Sequence, residues 1–274
     1  MIRGSIVASD KELVTNQGFQ LLSWASSDIA IEYVSGCNDA EKGMYVALAI
    51  KLYNKSRNLI SDAHKEIRVV LKASAAWLLQ TFSQLTPSAT ITVVKLLARA
   101  SQDLQEFHRM KGYALNCSIK ATKLWSHLNM EKLTETLPPI EYQDFKVSVF
   151  QSFLDIAILS ADNEVSRKAI FGALEIVQHL SMGLKKVYVS TVISLASQHL
   201  KAERYIEAIN VYRLAMQIVD EVIAKHKQPM SHLERAVAVA NSNSTDSIVN
   251  DYNLFIRHKV RVQLCISHAF ISTR

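Results

Sequence analysis

The sequence predicts an all-α protein, an α-solenoid of stacked antiparallel helix pairs, and three observations carry that expectation. Helix breakers are scarce: 274 residues contain 7 Gly and 4 Pro, well under typical usage of ~7% and ~5%. Strands need frequent turns built from Gly, Pro, Asn and Asp, so their scarcity favours long helices with few connections. Apolar residues recur at the three-to-four spacing of a helix face over most of the chain. Between Leu195 and Ala215, finally, two helices joined by a tight turn at Lys201–Arg204 carry Leu195, Ala196, Ala208, Tyr212 and Ala215 as a packing set. The small residues Ala196 and Ala208 let two backbones approach, and Tyr212 fills the space toward a neighbouring pair. One such pair cannot bury its own apolar face, so it implies stacked neighbours.

Residues 1–18 read as a flexible lead-in. A first helix is expected from Phe19 to Gly36, with Leu21, Leu22, Ala25, Ile29 and Tyr33 on one stripe. Asn38-Asp39-Ala40-Glu41 is a break with an N-cap, and the next helix runs to about Ile60. Within it Ala49, Tyr53 and Ser56 repeat the small–aromatic–small spacing of Ala208, Tyr212 and Ala215. Ser61–His64 opens a helix ending near Leu85, and Thr86-Pro87-Ser88 is a turn before a helix to Met110. Gly112–Leu128 follows, with Ala114, Ser118 and Ala121 at contact spacing. Residues 129–140 end in Pro138-Pro139, which cannot continue a helix. They read as a linker between two helical-repeat blocks, 19–128 and 141–274.

The second block predicts helices over Glu141–Ser160, Glu164–Leu180, Gly183–Ala202 and Tyr205–Ala224, the last ended by Lys225–Pro229. Ser231–Ala240 reads as a further helix, and Asn241–Asp246 as a loop with turn chemistry. A last helix from about Ile248 shows no stop signal before Arg274, so the expected stack is unfinished at that end.

A hydrophobic fraction of 49% supports a substantial core and argues against disorder. The net charge of +6 is compatible with nucleic acid or acidic partners, but Lys and Arg are interleaved with acids. The densest basic clusters are Lys51/Lys55/Arg57 and Arg257/His258/Lys259/Arg261, read first as solvated helix faces. Cys37, Cys117 and Cys265 form no CxxC pair and read as buried free thiols in a reducing compartment. Residues 1–7 are too interrupted for a signal peptide. Ala73–Val94 lacks charge, but its Gln, Ser, Thr and Pro residues argue against a membrane span. The expected location is therefore the nucleus or cytosol, with no membrane partner.

No HExxH, GxSxG, GxxxxGK[ST] or GxGxxG motif occurs. Scattered glycines offer no phosphate cradle. His64, His108, His127, His179 and His199 stand singly on helices and read as surface or boundary residues rather than metal ligands. Cys117 near His108 or His127 lacks the spacing of a nucleophile pair. Carboxylate pairs such as Asp103/Glu106 and Asp220/Glu221 read as helix-face charges. Trp24, Trp77 and Trp125 read as core. No catalytic residue, metal ligand or cofactor is expected, and partner-binding residues are not assignable.

The hairpin at 188–220 resembles tetratricopeptide repeats in five signature positions, departing at His199, Val192 and Asp220. The wider chain, from about Ala47 onward, resembles the sporulation-twenty-two/Zip-four family of meiotic proteins. The carriers are Leu52-Tyr53-Asn54-Lys55-Ser56, the basic-then-apolar Ile67–Leu79, Lys120–Trp125 before the Pro-containing linker, and Tyr142–Ile158 before the 188–220 hairpin. That resemblance implies a nuclear, chromosome-associated scaffold that gathers meiotic crossover factors and connects recombination sites to the synaptonemal complex, without catalytic residues.

The expected function is a non-enzymatic protein–protein scaffold whose partners are other proteins, meiotic crossover factors under the resemblance. The alternatives are a generic tetratricopeptide adaptor outside meiosis and a basic helical-repeat protein that binds nucleic acid. A clamp for a C-terminal carboxylate would need a Lys, Asn and Arg set, and only Lys186 stands out. The assigned residues are structural: Leu195, Ala196, Ala208, Tyr212 and Ala215 pack one hairpin, and Ala49 and Tyr53 another.

Overall fold

A computed structural model describes residues 16–83, 85–227, 254–255, 257–267 and 271, and no strand occurs among them. Two compact units, Met1–Ala161 and Asp162–Arg274, divide the chain. The first contains α1 (16–25), α2 (Asp28–Gly36), α3 (Asp39–Asn58), α4 (Lys65–Phe82), α5 (Pro87–Gln105), α6 (Lys111–Ser126), α7 (Met130–Thr136) and α8 (Pro139–Leu159). The second contains α9 (Asn163–Val177), α10 (Met182–Lys201), α11 (Tyr205–Lys227) and α12 (257–267). The all-α class and the stacking of successive helix pairs within each unit stand as expected.

Local chemistry sets the boundaries. Asn38 and Glu41 form a reciprocal capping box at α3: Asn38 Oδ1 accepts from the Glu41 amide at 2.9 Å, and the Asn38 amide donates to Glu41 Oε2 at 2.9 Å. Thr86 caps α5 with Pro87 in its first turn, where the missing N–H costs nothing. At α9, Asp162 Oδ1 accepts from the amides of Glu164 and Val165, at 2.7 and 3.1 Å.

In the first unit, short connections make neighbouring helices antiparallel. The most extensive contacts join α3 to α4 and α5 to α6, and α8 packs on both α5 and α6. In the second unit α10 pairs with α11, and α9 lies against both. The α10–α11 turn is a Schellman motif. The Arg204 amide donates to the His199 carbonyl at 2.9 Å and the Glu203 amide to the Leu200 carbonyl at 3.1 Å. Its left-handed position is Glu203, at φ 58°, where glycine is the usual occupant.

Several expectations are corrected. The single helix over Phe19–Gly36 is two helices broken at Ser26-Ser27, where the Ser27 hydroxyl donates to the Trp24 carbonyl at 2.7 Å. Such local bonds compete with helix continuation, and the break resets the phase. Ala30 becomes the buried residue of α2, while Ile29 is 66% and Tyr33 46% exposed. The segment 129–140 is not an open linker: α7 lies within it and packs on α8. Pro138-Pro139 starts a helix rather than closing a block, because a fixed φ suits the first helical turn. The division between units accordingly falls after Ala161 rather than at 129–140. Helix already covers 16–18 of the expected lead-in. The expected helix Ser231–Ala240 and loop Asn241–Asp246 lie outside the described residues.

Ala196 and Ala208 are both fully buried in the α10–α11 pair. Ala208→Trp is expected to cost ~1–3 kcal/mol or more by overpacking, read as a fall in the thermal midpoint. An unchanged midpoint would mean that this helix register is wrong.

Candidate interaction surfaces

The hairpin residues occupy the core of the second unit. Leu195 faces it with little exposure, and Ala196, Ala208, Tyr212 and Ala215 have none. The Tyr212 hydroxyl and Ser197 Oγ are 2.9 Å apart, a hydrogen bond between α11 and α10. Burial raises the Tyr212 pKa; the Ser197 contact opposes that shift, and Cys265 of α12 adds to it. Tyr212 therefore reaches both its own pair and the neighbouring helix. In the first unit Ala49 and Ser56 are fully buried and Tyr53 half-buried, with the Ser56 hydroxyl donating to the Tyr53 carbonyl at 2.6 Å.

Two buried charges escape sequence reasoning. Lys185, 5% exposed, donates through Nζ to Glu221 Oε1 at 2.9 Å and ties α10 to α11. Asp155, 1% exposed, lies among α5, α6 and α8. Its Oδ1 accepts from Gln151 Nε2 at 3.0 Å, and Ser118 Oγ stands 3.4 Å from its Oδ2 and 2.8 Å from Ser101 Oγ. The signal for Asp155 was a lone acid between Leu154 and Ile156 in an apolar run. At Ser118 the helical spacing signals only a small contact residue.

Burial raises the Asp155 pKa, with hydrogen bonds from Gln105, Gln151, Ser101 and Ser118 opposing the shift. A carboxyl whose folded pKa lies above its unfolded value penalises the fold when ionised. The penalty is complete above the folded pKa and is relieved as pH falls toward the unfolded value. Asp155→Asn is therefore expected to hold neutral-pH stability within ~1 kcal/mol of the wild type or above it, with a flatter acid-range dependence of the denaturation midpoint. Asp155→Ala, which removes the acceptor of Gln151 and the longer of the two Ser118 contacts and opens a small cavity among the three helices, should lose ~1–3 kcal/mol.

Each unit carries an open groove. In the second, a cavity of about 310 Å³ is lined by Asn163, Arg167, His199, Ile206, Glu207 and Asn210, among others. Arg204 Nη1 donates to Asn163 Oδ1 at 2.9 Å beside it. His199, expected at a surface or boundary, is buried and leaves Nδ1 without a partner. Burial, aided by Arg204 and opposed by Glu207, lowers its pKa. In the first unit a cavity of about 360 Å³ lies among α3, α4 and α5. The basic side chains of Arg57, Lys65, Arg68, Lys72 and Arg99 line it, with Asp103 and Glu106.

The two sequence clusters of basic residues diverge. Lys51, Lys55 and Arg57 are exposed, and only Arg57 enters the groove. Lys259 instead pairs with Asp220 at 2.7 Å, so part of the second cluster fastens α12 to α11. The acid pairs also bridge helices: Asp103 meets Lys72, Glu106 meets Lys65, and Glu221 meets Lys185. Trp77 is core, whereas Trp24 and Trp125 are half-buried.

Cys37 and Cys117 are buried and Cys265 is partly exposed, all as free thiols. Trp77 Nε1 donates to Cys117 Sγ at 3.2 Å, and burial pushes the Cys117 thiol up to about 12. A thiol held protonated in this way is a poor nucleophile. Among the described residues no cluster of His, Cys, Asp and Glu could hold a metal, and no helix is long and apolar enough to cross a membrane.

No family model and no curated protein matches the chain. Among solved structures, the chain is similar to a de novo designed helical repeat protein seen in a crystal structure. The likeness is 16% identity over 87% of this chain and 98% of that one, at a TM-score of 0.32. The all-α assignment rests on the chain's own helices and their pairwise packing.

Proposed function

We propose that this chain is a non-enzymatic protein–protein interaction scaffold acting in meiotic crossover formation. The observation that supports the scaffold reading most directly is the pair of grooves, each lined by side chains from successive packed helices. Grooves of this kind accept extended or helical partner segments. Their mixed charged, amide and aliphatic linings suit peptide surfaces, with affinity concentrated in a few anchors.

The meiotic part of the proposal draws on the resemblance to the sporulation-twenty-two/Zip-four family. Each segment that carries it falls on a helix: Leu52–Ser56 on α3, Ile67–Leu79 on α4, Lys120–Trp125 on α6 and Tyr142–Ile158 on α8. Under this reading the protein resides on chromosomes in the nucleus and gathers crossover factors. Affinity purification with mass spectrometry from meiotic cells tests it. Recovery of crossover or synaptonemal-complex proteins, lost with Ala208→Trp, is the expected result. Recovery of cytoplasmic adaptors alone would overturn the meiotic assignment and leave a repeat adaptor of another pathway.

A further inference from the structure

We infer that the groove among α3, α4 and α5 is the docking site for an acidic, carboxylate-rich peptide segment of a protein partner. This deepens the scaffold reading and rests on it. Five cationic side chains line the groove against two carboxylates, an excess of three positive charges. The floor is closed, since Ser56 and Val69 are buried.

The cations differ in how far their charge is satisfied within the fold. Asp103 is shared: its Oδ2 lies 3.5 Å from Lys72 Nζ and its Oδ1 3.4 Å from Arg99 Nε. Glu106 pairs with Lys65. Arg68 is held by neutral groups, donating through Nη1 to the Leu59 carbonyl at 3.0 Å and the Ile60 carbonyl at 3.4 Å. Those bonds fix its guanidinium at the C-terminal end of α3 without neutralising it. Arg57 is exposed and has no acidic partner among the described residues. Arg99 keeps 70% of its side chain in solvent while touching Asp103. Arg57, Arg68 and Arg99 thus offer guanidinium forks, which match carboxylates in bidentate geometry.

Two features favour a peptide over a nucleic acid. Asp103 and Glu106 sit within the cationic lining, so a continuous phosphodiester backbone would lie against carboxylates of its own sign. A peptide can place separate carboxylates on separate arginines. Beside the groove, Ile60 is 84% exposed, and its carbonyl belongs to the same Arg68 contact. An apolar residue in an acidic segment can cover it, whereas a phosphate backbone cannot.

The test is selection of a random dodecapeptide display library on the intact chain, followed by fluorescence anisotropy with the enriched peptides. The wild type should enrich Asp- and Glu-rich sequences carrying an apolar residue. Arg57→Glu with Arg99→Glu should remove that bias and weaken the enriched peptides at least tenfold, while Lys168→Glu, outside the groove, should not. Arg57→Gln alone breaks no ion pair and should weaken binding several-fold, which keeps the test valid if the double variant misfolds. Selection without acidic bias, or equal binding by the groove variants, overturns the assignment. So does tighter binding of single-stranded DNA than of the enriched peptides. A wild-type chain that recovers meiotic partners yet selects no acidic peptides sinks the groove and spares the scaffold. One that selects them but recovers no partner does the reverse.

Discussion

Glu221→Ala should lower the unfolding free energy by about 3 kcal/mol, read as a clear drop in the denaturant midpoint of the intact chain. Lys185 is nearly all buried in α10, and Glu221 Oε1 stands 2.9 Å from its ammonium. Removing the carboxylate leaves a buried cation without its counter-charge, and the desolvation already incurred is no longer offset by attraction. The double replacement Lys185→Met with Glu221→Leu removes both charges and keeps the volume. It should fall within ~1 kcal/mol of the wild type, or above it, since apolar replacements of buried pairs are often neutral or stabilising. If the single and double variants lose equal stability, the ion pair is not what makes Glu221 matter. The contrast is the informative measurement, because either variant alone would confound lost packing with lost charge.

Tyr212→Ala should cost ~3–5 kcal/mol, the range for truncating a buried aromatic ring. Tyr212 is fully buried between α10 and the side of α11 that meets α12. Its loss opens a cavity where two packing interfaces meet, so the neighbours cannot collapse onto it from one side alone. Tyr212→Phe keeps the ring and removes the hydroxyl with its contacts to Ser197 and Cys265, a loss of ~0.5–1.5 kcal/mol. Ser197 is not stranded by that change, because its Oγ also donates to the Ile193 carbonyl at 2.8 Å. A Tyr212→Ala loss no larger than that of Tyr212→Phe would show that the ring packs loosely.

The helices themselves were largely legible from residue order. Capping at Asn38 and Glu41, the Thr86-Pro87 start and the alanine spacing in α10 and α11 are local signals acting over one or two turns. The misreadings were local too, but they concerned signals with two meanings. Ser26-Ser27 can sit inside a helix or bond back onto its carbonyls, and Pro138-Pro139 can end one element or begin another. Which meaning holds depends on what packs around them.

The surfaces were less legible. Arg57 and Arg99 stand more than forty positions apart, and their meeting across one groove follows from how α3, α4 and α5 pack. The same holds for Lys185 with Glu221 and for Ser118 with Asp155, pairs joined only by the packing of separate helices. Sequence by itself determined the all-α class and most helix boundaries, because each depends on neighbours within about one helical turn. Tertiary structure alone decided which charges are buried in pairs and which stay open to a partner. Those outcomes depend on the distance and solvent access between residues far apart in the chain, and helical periodicity carries neither.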